Sequence, residues 1–201
     1  MRKIIILTFV SLDGVMQAPG SPTEDISGDF KYGGWTVTYF DEFGGQVMAE
    51  QMGHPFDLLL GRKTYDIFAS YWPNQDKQNP IAASLNKATK YVVSHNSIKL
   101  EWSNSILIKD NIVEEIKKLK QQEGPEIQVH GSSNLIQTLL ENNLVDELWL
   151  KIFPVVLGSG KRLFQEGISA KSFILTDSKV SPTGIIIANY KIAGEVKTGS
   201  F

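Results

Sequence analysis

The segment from Glu126 to Leu140 changes its hydrophobic period halfway along, and this change constrains the fold more than any other feature of the chain. Its first residues, EIQV, alternate as a β-strand does, whereas the apolar residues of LIQTLL recur with the spacing of one helix face. Small residues separate the two parts, namely Gly131, Ser132 and Ser133. The segment therefore predicts a buried strand that turns directly into a helix.

The turn between these two elements is suited to bind an anion. Glycine allows a ligand to approach the backbone closely, and either serine can cap the helix. A helix N-terminus presents free N–H groups and carries roughly half a positive charge, so a pyrophosphate group is a natural ligand. Turns of this composition also occur in α/β proteins that bind nothing there, so the two interpretations have to be separated by the rest of the chain.

The composition predicts one globular domain, spanning residues 1–201. Hydrophobic residues make up 42% and charged residues 21% of the chain, as in ordinary folded domains. The formal net charge of −2 disfavours a protein that binds nucleic acid, which needs a basic face. The chain has no cysteine and only three histidines, which are far apart, so we expect neither a disulfide nor a metal site.

The N-terminal apolar run, Ile4 to Val10, predicts a strand that is buried on both faces. The three residues before it faintly resemble a secretory start, but the run is short and no small-residue cleavage site follows it. Because no apolar segment reaches the roughly 18 residues of a membrane span, we expect a cytoplasmic protein without membrane contact. The strand leads into SLDG, where Asp13 is either a turn residue or a ligand-binding group at a strand end.

Two further predicted strands end in polar turns. The strand Pro55 to Leu60 runs into the turn GRKT, in which two cations stand at the start of a helix. Cations are disfavoured at a helix start, and a bound phosphate would neutralise their charge. Alternatively, both side chains simply point into water. The strand Lys90 to Val93 is followed by Ser94 and His95, which either receive the 2′-phosphate that separates NADP from NAD or form a surface turn.

The remaining predicted elements are two helices, a strand and a hairpin. Asp41 is expected to cap a helix that ends near Gly53, and a second helix from Asp110 to Gly124 is expected to be capped by Asp110 or Asn111. The stretch 145–156 reads as a strand with polar positions, among them Lys151, and the last element is a hairpin of residues 171–180 and 185–192.

Two loops of the chain can each be interpreted in two ways. The long loop from Gln17 to Gly34, with the aromatic residues that follow it, either closes over a flat ligand or packs onto the core. The stretch Gly158 to Arg162 invites a phosphate-loop interpretation, but Val155 and Arg162 break the GxxxxGK[ST] pattern. A flexible turn with two solvated cations is the better interpretation of that stretch.

The turns SLDG, GRKT, SHNS and HGSSN, in this order, resemble the dihydrofolate reductase superfold. The nearest likeness is to the reductase domain at the C-terminus of the bifunctional riboflavin-biosynthesis deaminase-reductase and to its stand-alone relatives, and it includes the segment LVDELWLKIFPVVLGSGKRLF. The resemblance covers nearly the whole chain. It implies an α/β fold whose central sheet is mixed and mainly parallel, flanked by helices and closed by a C-terminal antiparallel hairpin.

The resemblance also implies NADPH as the cofactor. The residues that match the family's cofactor turns are Gly61, Arg62, Lys63 and Thr64 for the phosphates, Ser94 and His95 near the 2′-phosphate, and Gly131, Ser132, Ser133 and Asn134 for the pyrophosphate. One glycine stands in the last turn where dihydrofolate reductases have two.

The implied activity is hydride transfer from NADPH to a C=N or C=O bond of a pyrimidine, as in riboflavin biosynthesis. Asp13 matches the acid of the family's SLDG motif and is the first catalytic candidate, and Asp41 is the next. Gly45 stands where dihydrofolate reductases carry their pterin-binding carboxylate. A dihydrofolate or dihydropteridine reductase and a nucleotide-binding module without catalysis remain alternatives, and the resemblance makes a homodimer plausible.

Overall fold

The chain folds around one eight-stranded sheet, and a computed structural model describes residues 1–200. The strands are β1 (Ile4–Ser11), β2 (Phe56–Gly61), β3 (Lys90–Val93), β4 (Ser105–Ile108), β5 (Glu126–Val129), β6 (Glu147–Phe153), β7 (Ser172–Val180) and β8 (Ile186–Gly194). The helices are α1 (Glu42–Gln51), α2 (Arg62–Tyr71), α3 (Pro80–Lys87), α4 (Ile112–Gln121) and α5 (Ser133–Glu141), with short 3-10 turns at Ser27–Asp29 and Trp72–Asn74.

The strand order is β4-β3-β2-β5-β1-β6-β8-β7. Strands β1 to β6 run parallel to one another, whereas β8 is antiparallel to β6 and β7 is antiparallel to β8. This arrangement confirms the predicted mixed sheet that a C-terminal hairpin closes. Because the six parallel strands share one direction, the polar turns after β1, β2, β3 and β5 all lie at the same edge of the sheet, where open α/β sheets bind ligands.

Helices cover both faces of the sheet, and β1 is buried between them as predicted. Ile4 and Ile6 pack in a cluster with apolar residues of α4 and α5. Leu7 points to the other face and packs in a second cluster with Met48 of α1 and Tyr65 of α2. The continuous apolar run of β1 thus serves two cores, because successive strand residues face opposite sides.

Two elements between β2 and α4 were not predicted from the sequence. Helix α3 begins after Asn79, whose side chain accepts hydrogen bonds from the backbone N–H groups of Ile81 and Ala82 at 3.0 and 3.2 Å. Strand β4 has only four residues, SILI, and so short a segment carries no period that distinguishes a strand from a loop. Asn111, one of the two residues predicted to cap α4, is the N-cap residue; it adopts a left-handed conformation (φ 49°) and, within residues 1–200, makes no side-chain hydrogen bond to the helix.

Trp35, the first aromatic residue after the long loop, packs onto the core rather than over an open site. The ring of Trp35 packs edge-to-face on Phe153 with 5.4 Å between the ring centres, and its Nε1 donates to the carbonyl of Gln17 at 2.8 Å. Asp41 caps α1 as predicted by accepting a hydrogen bond from Gly44 N at 2.8 Å. None of the helices described for residues 1–200 combines the length and hydrophobicity that crossing a bilayer requires.

Candidate functional site

The turns after β2 and β5 lie in direct contact at the carboxyl edge of the sheet. Gly61 N donates to the carbonyl of Gly131 at 3.1 Å. A Cβ atom added to Gly61 would stand 2.2 Å from Ser132 Oγ, and one added to Gly131 would stand 2.6 Å from Thr64 Oγ1. Both glycines are therefore required because the two turns approach too closely for a side chain. The peptide bond between Gly131 and Ser132 is cis.

A cavity of about 600 Å³ opens beside these two turns, a volume within the usual range of ligand pockets. Six of the residues predicted to bind the cofactor line it: Gly61, Arg62, Ser94, His95, Ser132 and Asn134. The structure thus brings together three turns that are far apart in sequence, in the arrangement expected from the parallel sheet.

One wall of the cavity was missed by the sequence analysis because β4 was missed. It consists of the end of β4 and the start of α4 and includes Lys109, Asp110 and Asn111. Val93 and Ile108 are paired in neighbouring parallel strands, so Ser94 and Lys109 follow those strands side by side. Lys109 Nζ donates to Ser97 Oγ at 3.1 Å. The sequence predicted the helix that begins in this wall, but for β4 it gave only a short apolar stretch followed by a cation.

Four of the residues predicted to bind the cofactor, Lys63, Thr64, Gly131 and Ser133, are not among those that line the cavity. Thr64 and Gly131 lie behind the wall against each other, and Ser133 is buried at the start of α5. Among the residues that line the cavity, Ser94 uses its hydroxyl within its own turn, where it donates to the carbonyl of Asn96 at 3.0 Å. The Arg62 guanidinium is bonded along its own helix to Asp66 at 2.6 Å.

The Lys63 ammonium lies against the carboxylate of Asp25, in the long loop after β1, at 2.5 Å. Lys161 approaches the same carboxylate from the other side, at 2.7 Å. Burial raises the pKa of Asp25, but hydrogen bonds from Lys161, Lys63 and Ser27 outweigh burial and hold the pKa far below its usual range. Lys161 and Arg162, which were predicted to be solvated cations, have exposed side-chain fractions of 37% and 42%, and each is also paired with a carboxylate, Lys161 with Asp25 and Arg162 with Asp13.

Asp13 anchors the loop that follows β6. Its carboxylate accepts hydrogen bonds from Ser11 Oγ at 2.6 Å and from the backbone N–H groups of Leu157 and Gly158 at 3.1 and 2.9 Å. Burial raises the pKa of Asp13, but these three hydrogen bonds outweigh burial, so the pKa lies below its usual value. Asp13 is therefore an ionised acceptor that joins the end of β1 to a loop 144 residues later.

Asp41 lies at the junction of α1 with the β7–β8 hairpin. Besides the cap bond from Gly44, it contacts Thr183, whose Oγ1 lies 3.0 Å from the carboxylate. The hydrogen bond from Gly44 is the main reason why the pKa of Asp41 lies below its usual value. Asp41 therefore holds the start of α1 against the hairpin, whereas Asp13 holds the loop after β6.

A row of polar side chains lies on the sheet face beneath α1 and α2, with Gln128 and Lys151 buried and His130 half-buried, and the sequence did not identify it. Lys151 donates to the side-chain oxygen of Gln51 on α1, and His130 Nε2 lies 3.3 Å from Gln128 Oε1. Burial lowers the pKa of Lys151 to about 7. Burial, together with the charge of Lys151, lowers the pKa of His130 to about 3.

The sheet order and the cavity at its carboxyl edge define a protein of the dihydrofolate reductase-like fold. The sequence pattern of the RibD C-terminal domain matches residues 2–187, so the chain belongs to this family. Both findings confirm the resemblance seen in the sequence. Membership of a reductase family supports a reductase-type function.

Known proteins similar to the chain agree with this assignment. An uncharacterized protein, YyaP from Bacillus subtilis (strain 168), is 30% identical over 188 residues, which cover 92% of each chain. A crystal structure described as a candidate riboflavin biosynthesis protein from Shewanella sp. PV-4 has a TM-score of 0.70 at 23% identity and covers 96% of this chain and 99% of that one.

Two more distant structures show the same fold. A pyrimidine reductase-like protein from Corynebacterium diphtheriae has a TM-score of 0.61 at 13% identity, with 96% of this chain and 93% of that chain covered. Dihydrofolate reductase from Enterococcus faecalis, which was solved with NADP(H) bound, has a TM-score of 0.57 at 14% identity and covers 95% and 96% of the two chains.

Proposed function

We propose that this protein is an NADPH-dependent reductase that transfers hydride to a C=N or C=O bond of a pyrimidine. The observation that carries the proposal is the cavity of about 600 Å³ at the carboxyl edge, where the turns after β2, β3 and β5 meet. Family membership supports the reductase half of the proposal, and the NADP(H) held by the similar Enterococcus enzyme supports the choice of cofactor.

The residues around the cavity fit an anionic dinucleotide. Arg62 and Lys109 are the cationic side chains that line it, and the imidazole of His95 and the carboxylates of Asp110 and Glu114 line it as well. Arg62 and Lys109 can bind phosphate oxygens by charge-assisted hydrogen bonds, which are stronger than neutral ones. The small residues at the β2 and β5 turns leave backbone atoms open to the cavity beside these charges.

The cofactor, when bound, supplies the hydride, and the protein supplies binding and orientation. Asp13 positions the loop Leu157–Arg162 at the end of β1. Because its carboxylate is ionised and already accepts three hydrogen bonds, we assign it an orienting role rather than that of a proton donor. Asp41 fixes the start of α1 in the same way.

Cofactor binding is tested by titrating the protein with NADPH and, separately, with NADH, while the fluorescence of its four tryptophans is followed. Saturable and preferential binding of NADPH is the expected result. Oxidation of NADPH is then followed at 340 nm with a panel of ribosylaminopyrimidines and dihydropteridines. Turnover with pyrimidines alone supports the proposal, whereas turnover with pteridines alone would replace it by the dihydropteridine alternative.

Two other outcomes contradict the proposal. Binding of NADPH without turnover across the panel would indicate a nucleotide-binding module that has lost catalysis. Absence of binding by either nucleotide at millimolar concentration would exclude the cofactor assignment altogether.

A further inference from the structure

The ion cluster of Asp25, Lys63 and Lys161 spans the carboxyl edge of the sheet above β5. Lys63 follows β2, and Lys161 lies beside the segment after β1, where its carbonyl accepts a hydrogen bond from Met16 N at 2.8 Å. Strand β5 lies between β2 and β1. The loop that carries Asp25 therefore crosses between two lysines at the level of the turn after β5, which is the turn predicted to bind pyrophosphate.

The charges in this cluster do not balance. Within residues 1–200, Asp25 is the only carboxylate that forms an ion pair with either lysine. Two ammonium groups thus share one negative charge, and the cluster keeps a net charge of +1. A phosphate group carries up to two negative charges near neutral pH and would neutralise both lysines.

The two lysines are also more accessible than the carboxylate between them. The exposed fraction of the side chain is 48% for Lys63 and 37% for Lys161, but only 10% for Asp25. An anion from solvent can therefore reach both ammonium groups from the open side. Asp25 Oδ1, the oxygen that Lys63 contacts, also accepts hydrogen bonds from Ser27 N and Ser27 Oγ at 3.0 and 2.5 Å.

The loop itself has attachments that do not depend on the Asp25 carboxylate. Gln17 donates through Nε2 to the backbone carbonyls of Asp25 and Ser27 at 3.0 and 2.8 Å, and its Oε1 accepts from Lys161 N at 3.0 Å. The carboxylate can consequently leave the lysines while Gln17 keeps the backbone of the loop in place.

We propose that Lys63 and Lys161 form a phosphate subsite, which the carboxylate of Asp25 occupies until a phosphorylated ligand displaces it. The inference rests on the proposed function, because the ligand would be either the cofactor, through its pyrophosphate, or the substrate, through a phosphate ester. Asp25 is then an internal competitor of that ligand. It lowers the affinity of the free protein for phosphate and keeps the two lysines in place.

The test uses Asp25→Asn, which removes the competing charge with little change of shape. Inorganic pyrophosphate is titrated into wild type and variant by calorimetry, and we expect its Kd to fall by about tenfold, because one charge-assisted contact no longer has to be broken. The matched control is Glu24→Gln. Glu24 is the neighbouring carboxylate and accepts hydrogen bonds from Gly20 N and Ser21 N of the same loop, so this variant loses the same charge without freeing a lysine.

Three results would overturn the inference: an unchanged or higher Kd in folded Asp25→Asn, an equal change in Glu24→Gln, or no pyrophosphate binding by either protein at about 10 mM, where a site with a Kd of about 1 mM would be nearly saturated. The double variant Asp25→Asn/Lys161→Gln should lose the gain in pyrophosphate affinity that Asp25→Asn alone shows. NADPH and ribose 5-phosphate separate the two ligand sources, because only the ligand that uses the subsite should gain affinity in Asp25→Asn. If NADPH fails to bind while pyrophosphate gains affinity, the proposed cofactor is wrong but the subsite stands.

Discussion

Gly61 lies so close to Ser132 that a Cβ atom at Gly61 would stand 2.2 Å from the serine hydroxyl. This contact joins the turns after β2 and β5, which together form the centre of the candidate cofactor site. We expect Gly61→Ala to force the turns apart, to destabilise the protein by about 1–3 kcal/mol, as overpacking does, and to weaken NADPH binding. Urea unfolding and the fluorescence titration measure the two effects.

Gly45→Ala is the matched control for this substitution. Gly45 lies within α1, and a Cβ atom there would meet only a ring carbon of Phe40, at 4.0 Å. Because alanine is favoured over glycine in a helix by about 1 kcal/mol, this variant should be at least as stable as wild type. Equal stability of Gly61→Ala and wild type would show that the turns can separate without cost.

Lys109 provides a prediction about cofactor selectivity. It stands beside Ser94 at the ends of neighbouring strands and is bonded to Ser97, in the turn predicted to receive the 2′-phosphate. We expect Lys109→Gln to raise the Kd of NADPH by roughly tenfold, the value of one charge-assisted hydrogen bond, and to leave the Kd of NADH unchanged. Lys118→Gln, on the exposed side of α4 and paired with Glu115, should change neither value.

A proportional loss of affinity for both nucleotides would contradict the role of Lys109 in recognising the 2′-phosphate. It would indicate a general electrostatic effect of the charge on the cavity. The salt dependence separates the two cases, because long-range effects between exposed charges are screened within about 10 Å at 0.1 M salt.

The parts of the fold that the sequence predicted are those with strong periodicity and unusual turns. β1 is a continuous apolar run, and the segment from β5 to α5 changes period at Gly131, so both could be assigned from their residues alone. The three cofactor turns could be grouped because parallel strands end at one edge. A contact between the turns after β2 and β5 could be expected, but the short distance between Gly61 and Ser132 depends on the register between the two strands, which the sequence does not show.

Lys109 was missed for a physical reason. The strand before it has four residues, two of which, Ile106 and Leu107, are only partly buried or exposed. So short a segment carries no period that distinguishes a strand from a loop. Asp25 was missed because its partners lie 38 and 136 residues away, and a loop without regular structure gives no indication of what its side chains meet.

Lys151 was interpreted as an ordinary polar position of a strand, and only the structure shows that α1 covers it. Its pKa is about 7 in the folded protein, against 10.5 for an unperturbed lysine. Between these two values the unfolded chain holds a proton that the folded chain has lost, so this group makes stability rise as the pH rises from about 7 to 10.5. Below pH 7 both states are protonated, and the full cost of burying the charge remains.

We therefore expect Lys151→Met to be more stable than wild type at pH 6 and to lose part of this advantage at pH 9. The change in the difference between the two proteins should be about 1–3 kcal/mol, since one pH unit of differential protonation corresponds to about 1.4 kcal/mol. Urea unfolding at both pH values measures it. A constant difference would mean that Lys151 keeps its proton in the fold, bound to Gln51.

His130 gives the corresponding prediction on the acid side. It packs on the ring of Phe68, with 5.8 Å between the ring centres, and its pKa is about 3 instead of 6.5. Between these values the unfolded chain binds a proton and the folded chain does not, so this group makes stability fall as the pH falls from 6.5 towards 3. The largest slope that one such proton can give is about 1.4 kcal/mol per pH unit.

His130→Phe removes this proton and keeps an aromatic ring against Phe68. The ring loses its contact with Gln128, so the variant should be less stable at pH 7, but its free energy of unfolding should fall less steeply between pH 6.5 and 4. Because the comparison concerns slopes, the loss of packing or hydrogen bonds at pH 7 does not affect it, and equal slopes in the two proteins would show that His130 takes up its proton without unfolding.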